Sequence, residues 1–142
     1  MATIAFSSDH AGYKMKLDLI AYVESLGYDT LDLGAQSEES YDYPDSVPPL
    51  LEAMVSTEAD FGVLLCGSGI GVDIAANRHK ELRAALCQNG LMAKMARLHN
   101  DANVLCLGAR FIGMEIAIDC VDNFLNTSFE GGRHARRVEK LG

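Results

Sequence analysis

The strongest constraint in this chain is an alternation. Short apolar runs of strand length recur along it, and segments with helical periodicity separate them. Thr3–Phe6 is the first run, and Tyr13–Leu26 is helical up to Gly27, which reads as a helix stop. Asp29–Leu33 is the second run. A polar loop, Gly34–Pro44, leads to a helix over Ser46–Ser56 that confines Pro48 and Pro49 to its first turn. Phe61–Cys66 is continuously apolar, as a strand buried on both faces must be. Val72–Arg78 reads as a short helix and Arg83–Cys87 as a fourth strand. Asn89 caps a helix through His99, Asn103–Leu107 is a fifth strand, and Gly113–Leu125 is the next helix. Beyond Gly131-Gly132, Arg133–Leu141 reads as a short basic terminal helix.

This pattern predicts one α/β domain over residues 1–142: a three-layer αβα sandwich, with a Rossmann-like five-stranded parallel sheet and a C-terminal basic helix. Crossovers should be right-handed, and ligands should bind at the carboxyl ends of the strands. Those ends fall after Phe6, Leu33, Leu65, Leu86 and Leu107.

Composition narrows the partners. The formal net charge of −8 disfavours nucleic acid and anionic membrane surfaces as partners. No run approaches the roughly 20 apolar residues of a membrane helix, and Met1–Phe6 lacks the basic start of a signal peptide. Cys66, Cys87, Cys106 and Cys120 show no C-x-x-C spacing, so a reduced cytoplasmic setting is expected, with no zinc site and no disulfide framework.

Four constellations carry chemistry. Ser7-Ser8-Asp9-His10 follows the first strand; Asp9 and His10 suit hydroxyl binding or proton transfer, and equally a turn with a helix cap. Cys66-Gly67-Ser68-Gly69-Ile70-Gly71 follows the third strand, and its glycines allow backbone N–H groups to cradle a phosphate or an oxyanion. Dinucleotide binding would need a third glycine where Val72 stands and an acidic residue where Cys87-Gln88 ends the next strand, and a P-loop would need Gly-Lys-Ser/Thr. All three are missing. Cys66 sits at the mouth of the loop, where a helix N-terminus favours the thiolate. The other cysteines read as packing residues. His99-Asn100-Asp101 reads alone as a helix end. Arg133 and Arg137 share one helix face and suit a phosphate dianion, or form a solvated basic tail. Arg110 fits either a phosphate site or a surface ion pair.

Six motifs occur in order: Ser8-Asp9-His10-Ala11-Gly12, Asp42-Tyr43-Pro44, Cys66–Gly71, Ile74-Ala75-Ala76-Asn77, His99–Leu105 and Glu130–His134. Together they resemble the type B ribose-5-phosphate isomerase family, within the ribose/galactose isomerase group, over essentially the whole chain. The resemblance implies an aldose–ketose isomerase of the non-oxidative pentose phosphate pathway that uses no metal and no cofactor. It implies that Cys66 moves the proton between C1 and C2, that Ser68 assists at the oxygens, and that the amides from Gly67 through Gly69 and Ile70 to Gly71 steady the enediolate. By the same resemblance Asp9 and His99 bind and open the furanose ring. His10, Arg133 and Arg137 match phosphate-binding positions, and Tyr43 lies near the site. Asn100 and Arg110 match positions that the family draws from a partner subunit. The implied assembly is a homodimer with shared active sites, or a tetramer.

A family variant uses a glutamate beyond the glycine loop; Val72 stands there, so the chain matches the cysteine type, and Asp73 should point elsewhere. The rival reactions are isomerisation of a 6-phosphohexose, such as allose or galactose 6-phosphate, or phosphate binding without catalysis. Gly90 departs from expectation by weakening the first turn of its helix by up to about 1 kcal/mol relative to Ala.

Overall fold

The computed structural model describes residues 1–142. The sheet has five parallel strands in the order β2-β1-β3-β5-β4: β1 Thr3–Ser8, β2 Asp29–Gly34, β3 Phe61–Cys66, β4 Ala84–Leu86 and β5 Val104–Gly108. The three inner strands are buried almost end to end, whereas the edges β2 and β4 are half-exposed. An inner strand under two helical layers has no solvent side, which is why its sequence runs apolar without alternating.

Alternation sorts the two faces. Ile4, Phe6, Val63, Leu65, Leu105 and Leu107 project to one side, under α1 (Tyr13–Ser25), α4 (Gly90–Asn100) and α5 (Met114–Leu125). Ala5, Leu64, Cys66, Val104 and Cys106 project to the other, under α2 (Val47–Val55) and α3 (Ile70–Ala76). A terminal helix, α6 (Arg133–Glu139), packs on α4. No helix is long and apolar enough to cross a membrane.

The strand order locates the ligand crevice. The chain leaves β1 toward β2 on one side and leaves β3 toward β4 on the other. The carboxyl ends of β1 and β3 therefore flank a topological switch point, where open α/β sheets bind ligands.

Several boundaries differ from the sequence expectation. Parallel pairing of Ser8 with Gly34 extends β1 past Phe6, so Ser7 and Ser8 are buried strand residues rather than loop. The Ser7 hydroxyl donates to the Ser46 carbonyl at 2.6 Å. A 3-10 turn over Tyr43–Ser46 precedes α2. The helix after the glycine loop runs over Ile70–Ala76 rather than Val72–Arg78, because Gly69 reverses the chain at φ +78°. A Cβ at Gly69 would lie 2.8 Å from the Leu107 carbonyl carbon, so the turn has room only for glycine. Gly90 has a packing reason as well: a Cβ there would run into Asp119 and Asn123 of α5, and its N–H donates to Asp119 Oδ2 at 3.0 Å.

Candidate active site

A cleft of about 520 Å³ opens at the switch point. Asp9, Tyr43, Cys66, Gly67, Ser68, Ile70, Gly71, Ile74, Arg110 and Phe111 line it. The crossing of β3 into its loop fixes the centre. Gly69 N–H donates to Cys66 Sγ at 3.2 Å, a charge-assisted bond when the sulfur is a thiolate. Ile70 N–H donates to Ser68 Oγ at 3.2 Å. The first N–H groups of α3 lack intrahelical partners and face the same end of the sheet.

The loop after β5 closes the other side. Ala109 N–H donates to the Cys66 carbonyl and Arg110 N–H to the Gly67 carbonyl, each at 2.9 Å. These bonds set the Arg110 side chain against Gly67. Arg110 was expected with Asn100 from a partner subunit; it instead shares a cleft with Cys66 of its own chain. The reason is directional, because Arg110 follows a strand and Asn100 ends a helix.

Asp9 is buried, and its Oδ1 accepts from Gly12 N–H at 3.1 Å, so it closes the turn into α1 while it lines the cleft. His10 is held through Nδ1. According to the tautomer, Nδ1 accepts from Tyr41 N–H at 3.1 Å or donates to the Tyr41 carbonyl at 3.2 Å. Tyr43 lies directly against Gly71.

The remaining expected residues lie elsewhere. His99 and Asn100 end α4, which returns the chain toward the amino ends of the strands. Asn100 lines a separate cavity of about 400 Å³ with Lys80, Arg83 and Leu141. Arg133 and Arg137 are exposed on α6 beside them. A strand of six residues separates the two ends, a span of about 20 Å. One chain therefore separates the expected site residues, with Asp9, Cys66, Ser68 and Arg110 at one pole and His99, Asn100, Arg133 and Arg137 at the other.

Three further residues carry buried polar contacts; Lys16 and Arg97 lie outside the motifs, and His134 lies within Glu130–His134 without an assigned role. Lys16 is fully buried, and its ammonium meets Asp32 Oδ1 at 2.7 Å and donates to the carbonyls of Leu33 at 2.7 Å and Ala35 at 2.6 Å. Arg97 is buried against Phe61, pairs with Asp101 at 3.0 Å and donates to the Ala102 carbonyl at 2.7 Å, which braces the corner carrying His99. His134 is buried and stacks on His99. Asp73 does not line the cleft. Burial raises its carboxyl above the ordinary value, and Oδ1 is buried without a hydrogen-bond partner.

The other thiols are suppressed. Burial, then the charges of Cys120 and Asp73, pushes Cys87 up to about 12. Burial and Asp119 push Cys120 to about 11, and burial holds Cys106 well above the usual thiol value.

These features define a class: an α/β domain with a small-molecule cleft at its switch point, built from a thiol, a glycine loop and an arginine. The family model described as Ribose/Galactose Isomerase matches residues 4–141, and the chain belongs to that family. It is 40% identical over 141 residues to ribose-5-phosphate isomerase B of Escherichia coli, covering 99% of this chain and 95% of that protein. A ribose 5-phosphate isomerase structure from Thermotoga maritima superposes with a TM-score of 0.96 at 49% identity, covering 99% of this chain and 97% of that one. A type B ribose 5-phosphate isomerase structure from Trypanosoma cruzi gives a TM-score of 0.93 at 42% identity, over 98% and 95% of the two chains.

Proposed function

We propose that this protein is an aldose–ketose isomerase that interconverts ribose 5-phosphate and ribulose 5-phosphate, in the cytoplasm and in the non-oxidative pentose phosphate pathway. The observation that carries the reading is the Cys66 sulfur at the mouth of an amide-lined cleft, with Gly69 N–H donating to it and Arg110 alongside. The thiolate takes the proton from C2 of the aldose, leaving an enediolate, and returns it to C1. Amides of the Gly67–Gly71 loop steady the oxygen charge, and Ser68 carries protons between O1 and O2. Removing one oxyanion donor from such a site typically costs about 10²–10³ in rate.

The same reading makes the protein a homodimer. Ring opening by Asp9 and His99, and phosphate binding by His10, Arg133 and Arg137, call for groups from both poles at one substrate. A second copy supplies the missing pole. Ile70, Ile74 and Phe111 rim the cleft and are about half-exposed, an apolar border suited to that contact.

Turnover of ribose 5-phosphate by the purified protein, beside Cys66→Ala, tests the reading. We expect turnover in the wild type and a loss of about 10²–10⁴ in the variant, the usual contribution of a positioned acid–base group. An inert wild type would overturn the pentose assignment. Full activity in the variant would keep the reaction and remove Cys66 as the base.

A further inference from the structure

We propose that His134 is a positioning residue that sets the ring plane of His99. The inference rests on the reading above, in which His99 opens the sugar ring. The two imidazoles are stacked face to face, with centroids 4.2 Å apart and planes 15° from parallel. The His99 side chain is 41% exposed, whereas His134 is 7% exposed. One ring is thus a platform within the fold, and the other works at its edge.

Positioning follows from what a lone histidine at a helix end does. Its χ2 torsion is broad, so the ring samples many planes. A fixed aromatic face beneath it restricts that motion, and reacting groups gain rate from being held in the productive geometry. The platform is itself anchored. Glu130 N–H donates to the Leu98 carbonyl at 3.1 Å, which clamps the segment before α6 to the residue preceding His99. His134 N–H then donates to the Gly131 carbonyl at 3.0 Å.

The environment also divides the two rings chemically. His134 Nε2 is buried without a hydrogen-bond partner, so a proton there would lack an acceptor. Burial lowers the affinity of His134 for a proton; His99, Arg133 and Arg137 act in the same direction, and Glu130 opposes them. Glu130 Oε2 lies 3.9 Å from His99 Nε2, beside the exposed ring. His99, Glu130 and His134 bring their ligand atoms within 4.8 Å of one another. Near-parallel rings hold their nitrogen lone pairs in separate, near-parallel planes that do not converge on one point, so this arrangement suits stacking and not chelation of a metal.

The test compares wild type, His134→Phe and His134→Ala. Phenylalanine keeps a flat uncharged face, and alanine removes it. Two readouts are taken: NMR titration of histidine-labelled protein, with His99→Asn used for assignment, and kcat and KM for ribose 5-phosphate against pH. We expect His134 to titrate below the ordinary histidine value of 6.5, and the His99 ring resonances to shift in His134→Ala and stay close to wild type in His134→Phe. We expect His134→Ala to lower kcat roughly tenfold at little change in KM, a part of the about 10²–10⁴ that a positioned acid–base group contributes, and His134→Phe to restore most of it. Unmoved His99 resonances in His134→Ala, an unchanged kcat in that variant, or equal damage in both folded variants would overturn the proposal. If the wild type turns over no pentose phosphate, the isomerase reading fails by itself, and the His99 resonances still decide whether His134 holds that ring.

Discussion

The Gly69 N–H group points at the Cys66 sulfur from 3.2 Å, inside a turn that only glycine can make. The contact ties reactivity to backbone geometry. Cys66 should therefore be the thiol that iodoacetamide modifies at pH 8, because burial pushes Cys87 to about 12 and Cys120 to about 11 and holds Cys106 far above its usual value. Peptide mapping after alkylation reads this directly. Ribose 5-phosphate should protect Cys66. Labelling spread over all four cysteines would show that the cleft gives this thiol no distinction.

Lys16 and Asp32 form the second relationship with a measurable consequence. The ammonium is wholly buried, while Asp32 keeps 37% of its side chain exposed. The two truncations should therefore be unequal. Asp32→Ala strands a buried cation on two carbonyls, and should cost about 3–5 kcal/mol, as broken buried pairs do. Lys16→Met removes the charge itself and leaves Asp32 to water, and should cost about 1–3 kcal/mol for the orphaned carbonyls. Urea unfolding of both variants checks the order. A costlier Lys16→Met would mean that the two carbonyl contacts outweigh the ion pair.

Lys16 also illustrates what was hidden in the sequence. Periodicity showed the sheet, its helices and the glycine loop at a strand end, because apolar spacing is a local property. It could not show that the carbonyls of Leu33 and Ala35 would meet one lysine of α1, since that depends on how β2 ends beside β1. Strand order was equally hidden: β4 pairing outside β5 leaves no periodic trace. The segregation of the site was legible by counting directions, however. Every helix returns the chain to the amino ends of the strands, so His99 at a helix end must lie opposite Cys66 at a strand end. Arg110, two residues beyond β5, must lie on the side of Cys66. The motif resemblance grouped these residues by role, and direction separates them by place.

The burial of His134 predicts a pH dependence of stability. Its proton affinity is lowered in the folded state relative to the ordinary histidine value of 6.5. As pH falls through about 6.5, the unfolded chain takes up a proton at this position before the folded chain does, so stability falls toward acid. It is fully present above that pH and is lost progressively below it. His134→Phe should flatten this part of the profile, measured as urea midpoints between about pH 5 and 8, the range in which histidine titrates. A wild type whose extra stability appears on acidification would reverse the sign and show the folded ring to be the better proton acceptor.

The two poles of the chain allow a decisive test of shared sites. Cys66→Ala and His99→Asn should each be inactive alone. If one site takes Cys66 from one subunit and His99 from the other, a mixed dimer of the two variants contains one intact site and one doubly defective site. Random reassortment of equal amounts makes about half of the dimers mixed, and half of their sites intact, so activity should return to about a quarter of the wild-type value. Unfolding and refolding the two variants together, against each refolded alone, gives the measurement. No recovery on mixing would mean that Cys66 and His99 do not meet across an interface. Each pole would then have to work without the other, leaving Cys66, Ser68 and Arg110 as the whole catalytic set and Arg133 and Arg137 as surface charge. Recovery near a quarter would put the substrate between two copies of the chain, with its reacting carbons at the β3 loop of one and its phosphate at α6 of the other.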